Sequence, residues 1–205
     1  MTIRSEVHSY GLLSRRLLPK AFWLGLFIFL SLGTGCGKYS PPLAPEDLSP
    51  QPVTELKVVS SPEGVAFSWR APDKDHRGKE LRSLNGYRIY RKVLEKSSDL
   101  LDPKVEYSEI ALIEDPHLAK LQQLRLDAKA QGKPTRSIKV TEAEKVFSFS
   151  DTTPQSGKRY AYQIVPINQG NEEGDPGQIV LVLFRGETSE VSMLPLSQVT
   201  EDIFS

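Results

Sequence analysis

Short runs in which apolar and polar residues alternate constrain this chain more than any other feature. Val65, Phe67 and Trp69 alternate with small or polar residues in "GVAFSWR", and similar runs recur from residue 53 to residue 184. A period of two places every second side chain on the same face of a strand. Clusters of Gly, Pro, Asp and Asn, which favour turns, separate seven such runs. The pattern therefore predicts an all-β sandwich of seven strands.

The inward faces of these runs predict the core. Six aromatic and branched residues fall on them: Trp69, Tyr87, Ile89, Tyr160, Tyr162 and Ile164. Large apolar side chains that repeat with the period of a strand belong to the buried face. Exposed aromatic rings could instead stack on sugars, which is the alternative for Trp69, Tyr87 and Tyr160.

Three segments resemble the fibronectin type III domain. A tryptophan ends the second run just before Ala-Pro, the third run contains "GYRIYR", and the sixth contains "YAYQIVPIN" ahead of a glycine-rich turn. The resemblance covers about residues 53–186 and implies an immunoglobulin-like sandwich of the fibronectin type III kind. It also implies that Tyr160 is the corner tyrosine, whose hydroxyl bonds back to the connection that precedes its own strand.

An insertion over about residues 115–140 interrupts this pattern before the fifth strand. Asp115 suits a helix N-cap, Pro116 the first turn and Gly132 the position after the last turn. One stripe of the predicted helix carries Leu118, Leu121 and Leu124. Two interpretations stay open: the stripe packs against the chain's own sandwich, or it binds a partner.

Strand alternation also predicts which features share an end of the sandwich. If each strand reverses direction, the insertion lies at the same end as the second-to-third and sixth-to-seventh connections. The first strand begins at that end as well. We expect the tail, residues 187–205, at the opposite end, either frayed or as an extra edge strand.

The N-terminus has the order of an export signal. Residues 1–20 hold four basic residues and one acid, and "AFWLGLFIFLSL" follows without a charge. A membrane-spanning helix needs about 20 apolar residues, so this run is too short for one. A basic segment, a short apolar run and small residues predict a signal peptide over residues 1–35.

The residues after the apolar run resemble the lipobox of bacterial lipoproteins. Gly33, Thr34 and Gly35 stand directly before Cys36, the only cysteine of the chain. The family usually has leucine at the position of Gly33, so the match departs there. The resemblance implies cleavage between Gly35 and Cys36, with a diacylglycerol and an N-acyl group on Cys36. The alternative is an ordinary secretory signal followed by a free thiol.

Residues 36–52 predict a tether that leads from this anchor to the sandwich. They are rich in proline, which favours an extended polyproline II chain of about 3.1 Å per residue. The position after the cysteine is Gly37 rather than the aspartate that retains lipoproteins at the inner membrane. The resemblance therefore implies a lipid-anchored cell-envelope protein, with the outer membrane favoured and either a periplasmic or a surface-facing body.

Composition and motifs argue against catalysis and nucleic-acid binding. Lysine plus arginine and aspartate plus glutamate both number 26, so no net positive field attracts nucleic acid. The chain has no Ser-nucleophile elbow, no paired-histidine zinc motif and no phosphate loop. We predict no catalytic residue, no metal and no cofactor besides the lipid. Asp73, Asp75 and His76 are the alternative, a weak metal-dependent site.

Three functions follow from these features. The first is a non-catalytic interaction module that binds an unidentified envelope protein or glycan, with the oligomeric state left open. The second is an accessory factor of outer-membrane or lipopolysaccharide-export assembly, because "CGKYSPPLAP" faintly resembles the mature start of such small lipoproteins. The third is the enzyme at Asp75 and His76.

Overall fold

The structure is a computed structural model that describes residues 45–198. The predicted signal peptide, the cleavage site at Gly35 and Cys36, the tether up to residue 44 and the last seven residues lie outside the described residues.

The regular structure of the described chain includes eight strands and a helix of fourteen residues. The strands are β1 Thr54–Ser61, β2 Gly64–Arg70, β3 Gly86–Leu94, β4 Ser108–Glu114, β5 Val146–Asp151, β6 Arg159–Ile167, β7 Gln178–Leu183 and β8 Glu190–Pro195. The helix is α1 His117–Ala130, and short 3-10 turns cover Pro45–Leu48, Ser97–Leu100 and Glu142–Lys145.

Two antiparallel sheets form an immunoglobulin-like sandwich, which confirms the predicted fold class. One sheet has the order β1-β2-β5 and the other has the order β4-β3-β6-β7-β8. The seven predicted strands are β1 to β7, and the helical insertion lies before β5 as predicted. Antiparallel packing of this kind buries one face of each sheet and leaves the other face to solvent.

The tail adds the eighth strand. β8 pairs with β7 from Leu183↔Glu190 to Gln178↔Pro195, so it is the extra edge strand rather than a frayed segment. It also corrects the expected position of the tail. Because β8 runs antiparallel to β7, the chain returns to the β6–β7 connection, where the Leu196 N–H donates to the Gly177 carbonyl at 3.0 Å.

Two bulges shift the alternation. The β1–β2 register slips between Thr54 and Lys57, and Glu55 has a φ of 52°. This bulge fits the spacing of Val53 and Leu56, which are three residues apart instead of two. The β3–β4 register slips as well. As a result Leu112, which strict alternation from Ile110 would turn inward, is 49% exposed.

The core lies between the sheets around the predicted residues. Each of the six is no more than 4% exposed, and together they belong to one apolar cluster. Trp69 meets Tyr87 edge to face, with ring centroids 5.2 Å apart. Such aromatic pairs add about 0.5–1.5 kcal/mol to the free energy gained from burial alone. Buried in this way, Trp69, Tyr87 and Tyr160 do not present their rings to a sugar.

A second, smaller apolar cluster covers the outer face of the five-stranded sheet. The connection between β3 and β4 folds over Leu94, Ala161 and Ile179. Lys92, only 4% exposed, holds this connection: its ammonium donates to the carbonyls of Leu100 and Asp102 at 3.2 and 3.0 Å. These bonds satisfy a buried cation without a carboxylate.

The β5–β6 connection closes the end of the sandwich that we call the far end. The Gln155 N–H donates to the Tyr160 hydroxyl at 2.8 Å, which is the corner bond that the resemblance implied. Nearby, the buried Asp151 carboxylate accepts from Arg91 at 2.7 Å and from the Tyr162 hydroxyl at 3.0 Å. Both contacts join the end of β5 to strands of the other sheet.

The environment of Asp151 sets its charge. Burial acts to raise the pKa of the Asp151 carboxyl, but hydrogen bonds from Thr153 and Arg91 outweigh it and hold the pKa below the usual value. Burial and the neighbouring Asp151 charge raise the pKa of Tyr162 far above its usual range. The aspartate is therefore the charged member at neutral pH and the phenol is the donor.

Candidate functional site

The other end of the sandwich, which we call the loop end, gathers most of the irregular chain. It consists of the β2–β3 connection (71–85), the β6–β7 connection (168–177) and the insertion (115–145). Connections at one end of a rigid sandwich are the usual place for binding residues. We therefore treat the loop end as the candidate site.

Residues 49–52 dock on the loop end. The His76 N–H donates to the Ser49 carbonyl at 2.8 Å, and the Gln51 N–H donates to the Lys74 carbonyl at 3.0 Å. Ser49 and Pro50 are buried. The sequence placed these residues in an extended tether, so that boundary is corrected: the folded body begins by Ser49. Proline content indicates extended chain but does not reveal that the chain has a binding surface within reach.

The β6–β7 connection presses against the same segment. Gly174 lies so close to the Pro50 carbonyl that a Cβ at this position would collide with it. Only glycine permits such an approach. The neighbouring Glu173 carboxylate accepts from Arg88 and from the Tyr90 hydroxyl, both at 2.6 Å. The connection is thus held from both sides.

A buried carboxylate shapes the β2–β3 connection. Asp75, 4% exposed, accepts from the backbone N–H groups of Arg77 and Lys79 at 3.0 and 2.9 Å, and from the Arg77 guanidinium at 2.7 Å. Burial acts to raise the pKa of Asp75, but the Arg77 and Lys79 bonds outweigh it and lower the pKa. The oxygen atoms of Asp75 are therefore used to fold the connection.

The same geometry speaks against the metal-site alternative. Asp73 forms an ion pair with Lys145 at 2.7 Å, Asp75 is held by Arg77 and Lys79, and His76 is exposed. Within residues 45–198, no group of three or more His, Cys, Asp or Glu side chains is placed to hold a metal ion. Asp73, Asp75 and His76 are close in sequence, but their side chains do not converge on a common point.

A buried polar network connects the insertion to the core. The Tyr87 hydroxyl donates to one Asp115 carboxylate oxygen at 2.6 Å. The other oxygen accepts from the His117 N–H at 3.0 Å and lies 2.6 Å from His117 Nδ1. Burial, followed by the Asp115 charge, raises the pKa of Tyr87 well above its usual range. The phenol therefore stays protonated and acts as a donor.

This network also explains how α1 begins. Pro116 occupies the N-cap, one residue later than the predicted Asp115, although the Asp115 carboxylate still accepts from the His117 N–H. Gly132 follows the helix with a φ of 67°, as its predicted position after the last turn requires.

The predicted leucine stripe divides between the body and the solvent. Leu118 is half-buried against the core cluster, Leu121 is half-buried, and Ala128 is buried further along the same face. Leu124 is 38% exposed, and Leu126, on the opposite face, is 60% exposed. Leu118 thus supports the interpretation that the stripe packs on its own sandwich. A partner role for Leu118, Leu121 and Leu124 remains a prediction.

Polar contacts fasten α1 to the rest of the loop end. Gln122 donates to the Arg82 carbonyl at 3.2 Å, and Arg125 lies 3.7 Å from Glu80. Lys120 pairs with Glu144, and the hydrogen bonds from Lys120 and Thr141 lower the pKa of this half-buried carboxyl to about 2. These are surface contacts, each of which stabilises by only a few tenths of a kcal/mol.

A cleft of about 220 Å³ remains between α1, the β2–β3 connection and residues 138–145. His117 lines it, backed by Asp115. Asp–His pairs activate a hydroxyl or thiol in hydrolases. The residues that line this cleft include no Ser, Thr, Tyr or Cys, so the pair has no nucleophile to activate there. The Asp115–His117 pair is instead a buried structural contact that links the insertion to the core.

Sequence reasoning missed the Tyr87–Asp115–His117 network. Asp115 was identified only as a cap and Tyr87 only as a core residue, because 28 positions separate them. One signal for this network was available in the sequence: Asp115 is a charged residue placed directly between a strand of the sandwich and the inserted helix. Sequence reasoning also missed the charge of the insertion, which holds six basic residues and one acid between residues 116 and 139.

A scan against protein-family models finds no match for this chain, and a search of the curated proteins finds none either. Among residues 45–198, no helix is both long enough and apolar enough to cross a membrane.

Solved structures provide distant likenesses. The twitchin kinase region from C. elegans, which includes a fibronectin domain, is 15% identical with a TM-score of 0.39; the match covers 68% of this chain and only 17% of the twitchin chain. The third fibronectin III domain of the human KIAA0343 protein is 13% identical with a TM-score of 0.33, covering 77% of this chain and 92% of that domain. At these values the likeness carries no argument about activity or partners.

Proposed function

We propose that this chain is a lipid-anchored lipoprotein of the bacterial cell envelope whose fibronectin type III-like sandwich binds a protein or glycan partner without catalysis. The observation that carries the proposal is the order of the N-terminus: a basic segment, a short apolar run and small residues, followed by Cys36. The outer membrane is favoured because Gly37 follows the cysteine.

The non-catalytic part of the proposal is supported by how the loop end uses its acids. Asp75, Asp115 and Glu173 all accept hydrogen bonds that hold connections in place. A catalytic carboxylate or histidine needs an open face toward a substrate. A sandwich with rigid, internally bonded connections suits binding, although the fold alone does not determine function.

Replacing the cysteine tests the anchor. Cys36→Ser removes the thiol that would form the thioether, so this variant should take up no labelled palmitate and should leave carbonate-washed membranes. Gly37→Ala is the matched control, because it changes the neighbouring residue and keeps the thiol; it should be labelled and remain with membranes. Recovery of Cys36→Ser in washed membranes at the wild-type level contradicts the anchor.

Site-specific crosslinking in intact cells tests the binding role. A photoreactive residue would replace Leu124, which is 38% exposed on α1, or Gln169, which is exposed on the β6–β7 connection. The control position is Ser156, exposed at the far end. A defined envelope protein that is crosslinked from Leu124 or Gln169 and not from Ser156 supports the role. The same weak, mixed adducts from all three positions speak against a protein partner and leave only the glycan form, which binding to isolated envelope glycans then decides.

A further inference from the structure

The insertion carries a set of cations without partners. Three of the seven basic residues in the insertion (115–145) are paired: Lys120 with Glu144, Arg125 with Glu80 and Lys145 with Asp73. The other four have no carboxylate within ion-pair distance among the described residues: Lys129, Lys133, Arg136 and Lys139. All four are exposed and lie between residues 129 and 139, a segment without an acid. The acids of the insertion, which are Asp115, Asp127, Glu142 and Glu144, lie on either side of that segment.

The β2–β3 connection adds further free cations. Each of its three acids is neutralised: Asp73 by Lys145, Asp75 by Arg77 and Glu80 by Arg125. In the described chain no ion pair reaches the remaining bases, which are Lys74, Lys79 and Arg82. Because these acids already have basic partners, Lys74, Lys79 and Arg82 remain on the connection as exposed positive charges without an ion pair to any described residue.

The two sets approach each other where the insertion packs on the β2–β3 connection. Lys139 of the insertion lines the same cleft as Asp73 and Glu80 of the β2–β3 connection. We call the combined set the basic surface: Lys74, Lys79, Arg82, Lys129, Lys133, Arg136 and Lys139. The chain as a whole has no net charge, so this concentration of cations is a local feature.

The chain that leads to Cys36 leaves the body at this surface. Ser49 is docked on His76 of the β2–β3 connection, and Leu48 beside it is 40% exposed. Twelve residues lie between Cys36 and Ser49, and the thirteen Cα–Cα steps span at most about 47 Å when fully extended. A lipid on Cys36 would therefore keep Ser49, and the β2–β3 connection on which it is docked, within that distance of the bilayer.

We propose that the basic surface binds the anionic phospholipid headgroups of the membrane that holds Cys36. This proposal rests on the proposed lipid anchor. Clusters of four to eight lysines and arginines bind anionic lipid surfaces, with roughly a fivefold gain per basic residue. Leu126, 60% exposed on α1, adds apolar surface among the cations.

The shape of the surface favours a lipid bilayer over an acidic protein. The four free cations of the insertion are long, exposed side chains spread over a helix end and a loop, and do not converge on one pocket. A bilayer presents many interchangeable phosphates, so it needs no fixed geometry. The tether also makes the contact intramolecular in effect, which raises the local lipid concentration without any specific fit.

Vesicles that differ only in charge test this proposal. The processed, lipidated protein would be reconstituted into vesicles of phosphatidylcholine, with or without 30% phosphatidylglycerol. A fluorophore on Ser137→Cys, within the insertion, reports energy transfer to a lipid dye; Ser156→Cys reports from the far end. Both positions are exposed. We expect phosphatidylglycerol to raise the transfer from position 137, to leave position 156 unchanged, and 0.5 M NaCl to abolish the gain.

A charge-matched pair of variants isolates the basic surface. Lys129, Lys133 and Lys139 changed together to Gln should lower the apparent affinity for phosphatidylglycerol by roughly tenfold to hundredfold. Lys57, Lys104 and Lys158 changed together to Gln remove the same charge from exposed positions outside the basic surface and should have no effect. Equal losses in the two triple variants, or no loss in either, overturn the proposal.

The vesicle experiment gives different results if the proposed lipid anchor is wrong and if the proposed lipid binding by the basic surface is wrong. Without a lipid on Cys36, the protein does not float with the phosphatidylcholine vesicles, and the dye labels two thiols instead of one. With the anchor intact and the surface proposal wrong, the protein floats with both vesicles and position 137 gives the same transfer in each. Crosslinking from position 137 to a single acidic protein, with no change on adding phosphatidylglycerol, also overturns the proposal.

Discussion

A buried carboxylate closes each end of the core, and strand β3 reaches both of them. At the loop end Tyr87 donates to Asp115, and at the far end Arg91 donates to Asp151. Both aspartates are almost fully buried, with 3% and 4% of their surface exposed. Burial of a carboxylate is costly unless hydrogen bonds replace its water, and both sites provide at least three.

The two sites differ in where their donors come from. Asp151 accepts from Arg91 and Tyr162 of the opposite sheet, as well as from Thr153 just after its own strand. Asp115 accepts one bond from the sandwich framework, through Tyr87, and its other two from His117 of the insertion. Asp151 at the far end thus links the two sheets to each other. Asp115 at the loop end links the inserted helix to the sandwich. This difference suggests that α1 can loosen before the sheets separate.

The strongest test removes the core that both sites enclose. Trp69, 1% exposed, touches Tyr87 and Phe147. Trp69→Ala should cost roughly 3–5 kcal/mol in the free energy of unfolding, because the cavity lies between the sheets. Urea unfolding followed by circular dichroism measures it. An unchanged unfolding midpoint would mean that the two ends do not share one core.

The second test compares the two carboxylates directly. Asp151→Asn leaves the Arg91 charge without its partner and should cost about 2–3 kcal/mol, below the range for a fully buried pair because the Arg91 side chain is 22% exposed. Asp115→Asn removes no ion pair to a permanent cation and should cost about 1–2 kcal/mol. Hydrogen exchange should then show faster exchange in α1 for Asp115→Asn alone. A larger loss for Asp115→Asn in the same urea experiment reverses the comparison.

The dependence of stability on acid pH tests the role of Asp151 at the far end. Since the folded-state pKa of Asp151 lies below its unfolded value, its contribution to stability is fully present above pH of about 4–5 and is lost as pH falls through the folded pKa. Thermal midpoints from pH 7 to pH 2 should fall less steeply below pH 4 in Asp151→Asn than in the wild type. Equal slopes for the two proteins would show that Asp151 does not set the acid sensitivity.

The smallest expected effect concerns the docked segment at the loop end. Gly174→Ala places a Cβ against the Pro50 carbonyl and should displace residues 49–52, at a cost of about 1–2 kcal/mol. Gly170→Ala is the control, because its Cβ would meet only the side chain of Asn168. Hydrogen exchange at Gln51 and His76 measures the change. If both variants leave these amides protected, the approach at Gly174 does not hold the segment.

Local pattern was sufficient for much of the fold. The alternation around Trp69, Tyr87 and Tyr162 placed each of them inward, because the backbone geometry of a strand fixes a period of two whatever its partner. The helix of the insertion was equally visible from its first turn and from Gly132. In both cases the signal lies within about ten residues of chain.

The missed features depend on partners far along the chain. β8 carries no alternation of buried and exposed residues, and only its pairing with β7 makes it a strand. Residues 49–52 became part of the body because the β2–β3 and β6–β7 connections form a surface for them. The bulge in β4 changed which face Leu112 occupies. The composition of each segment by itself predicts none of these outcomes.

The candidate site divides in the same way. The sequence by itself determined the anchor prediction at Cys36, the strands and the charge of the insertion, because each depends on residue type and spacing along the chain. The tertiary structure alone decided that Tyr87 meets Asp115, and that Asp73, Asp75 and Glu80 are neutralised while neighbouring lysines are not. The physical reason is that the fold decides which groups lie within bonding distance. Whether a charged side chain or a hydrogen-bond donor has a partner is therefore set by the tertiary structure.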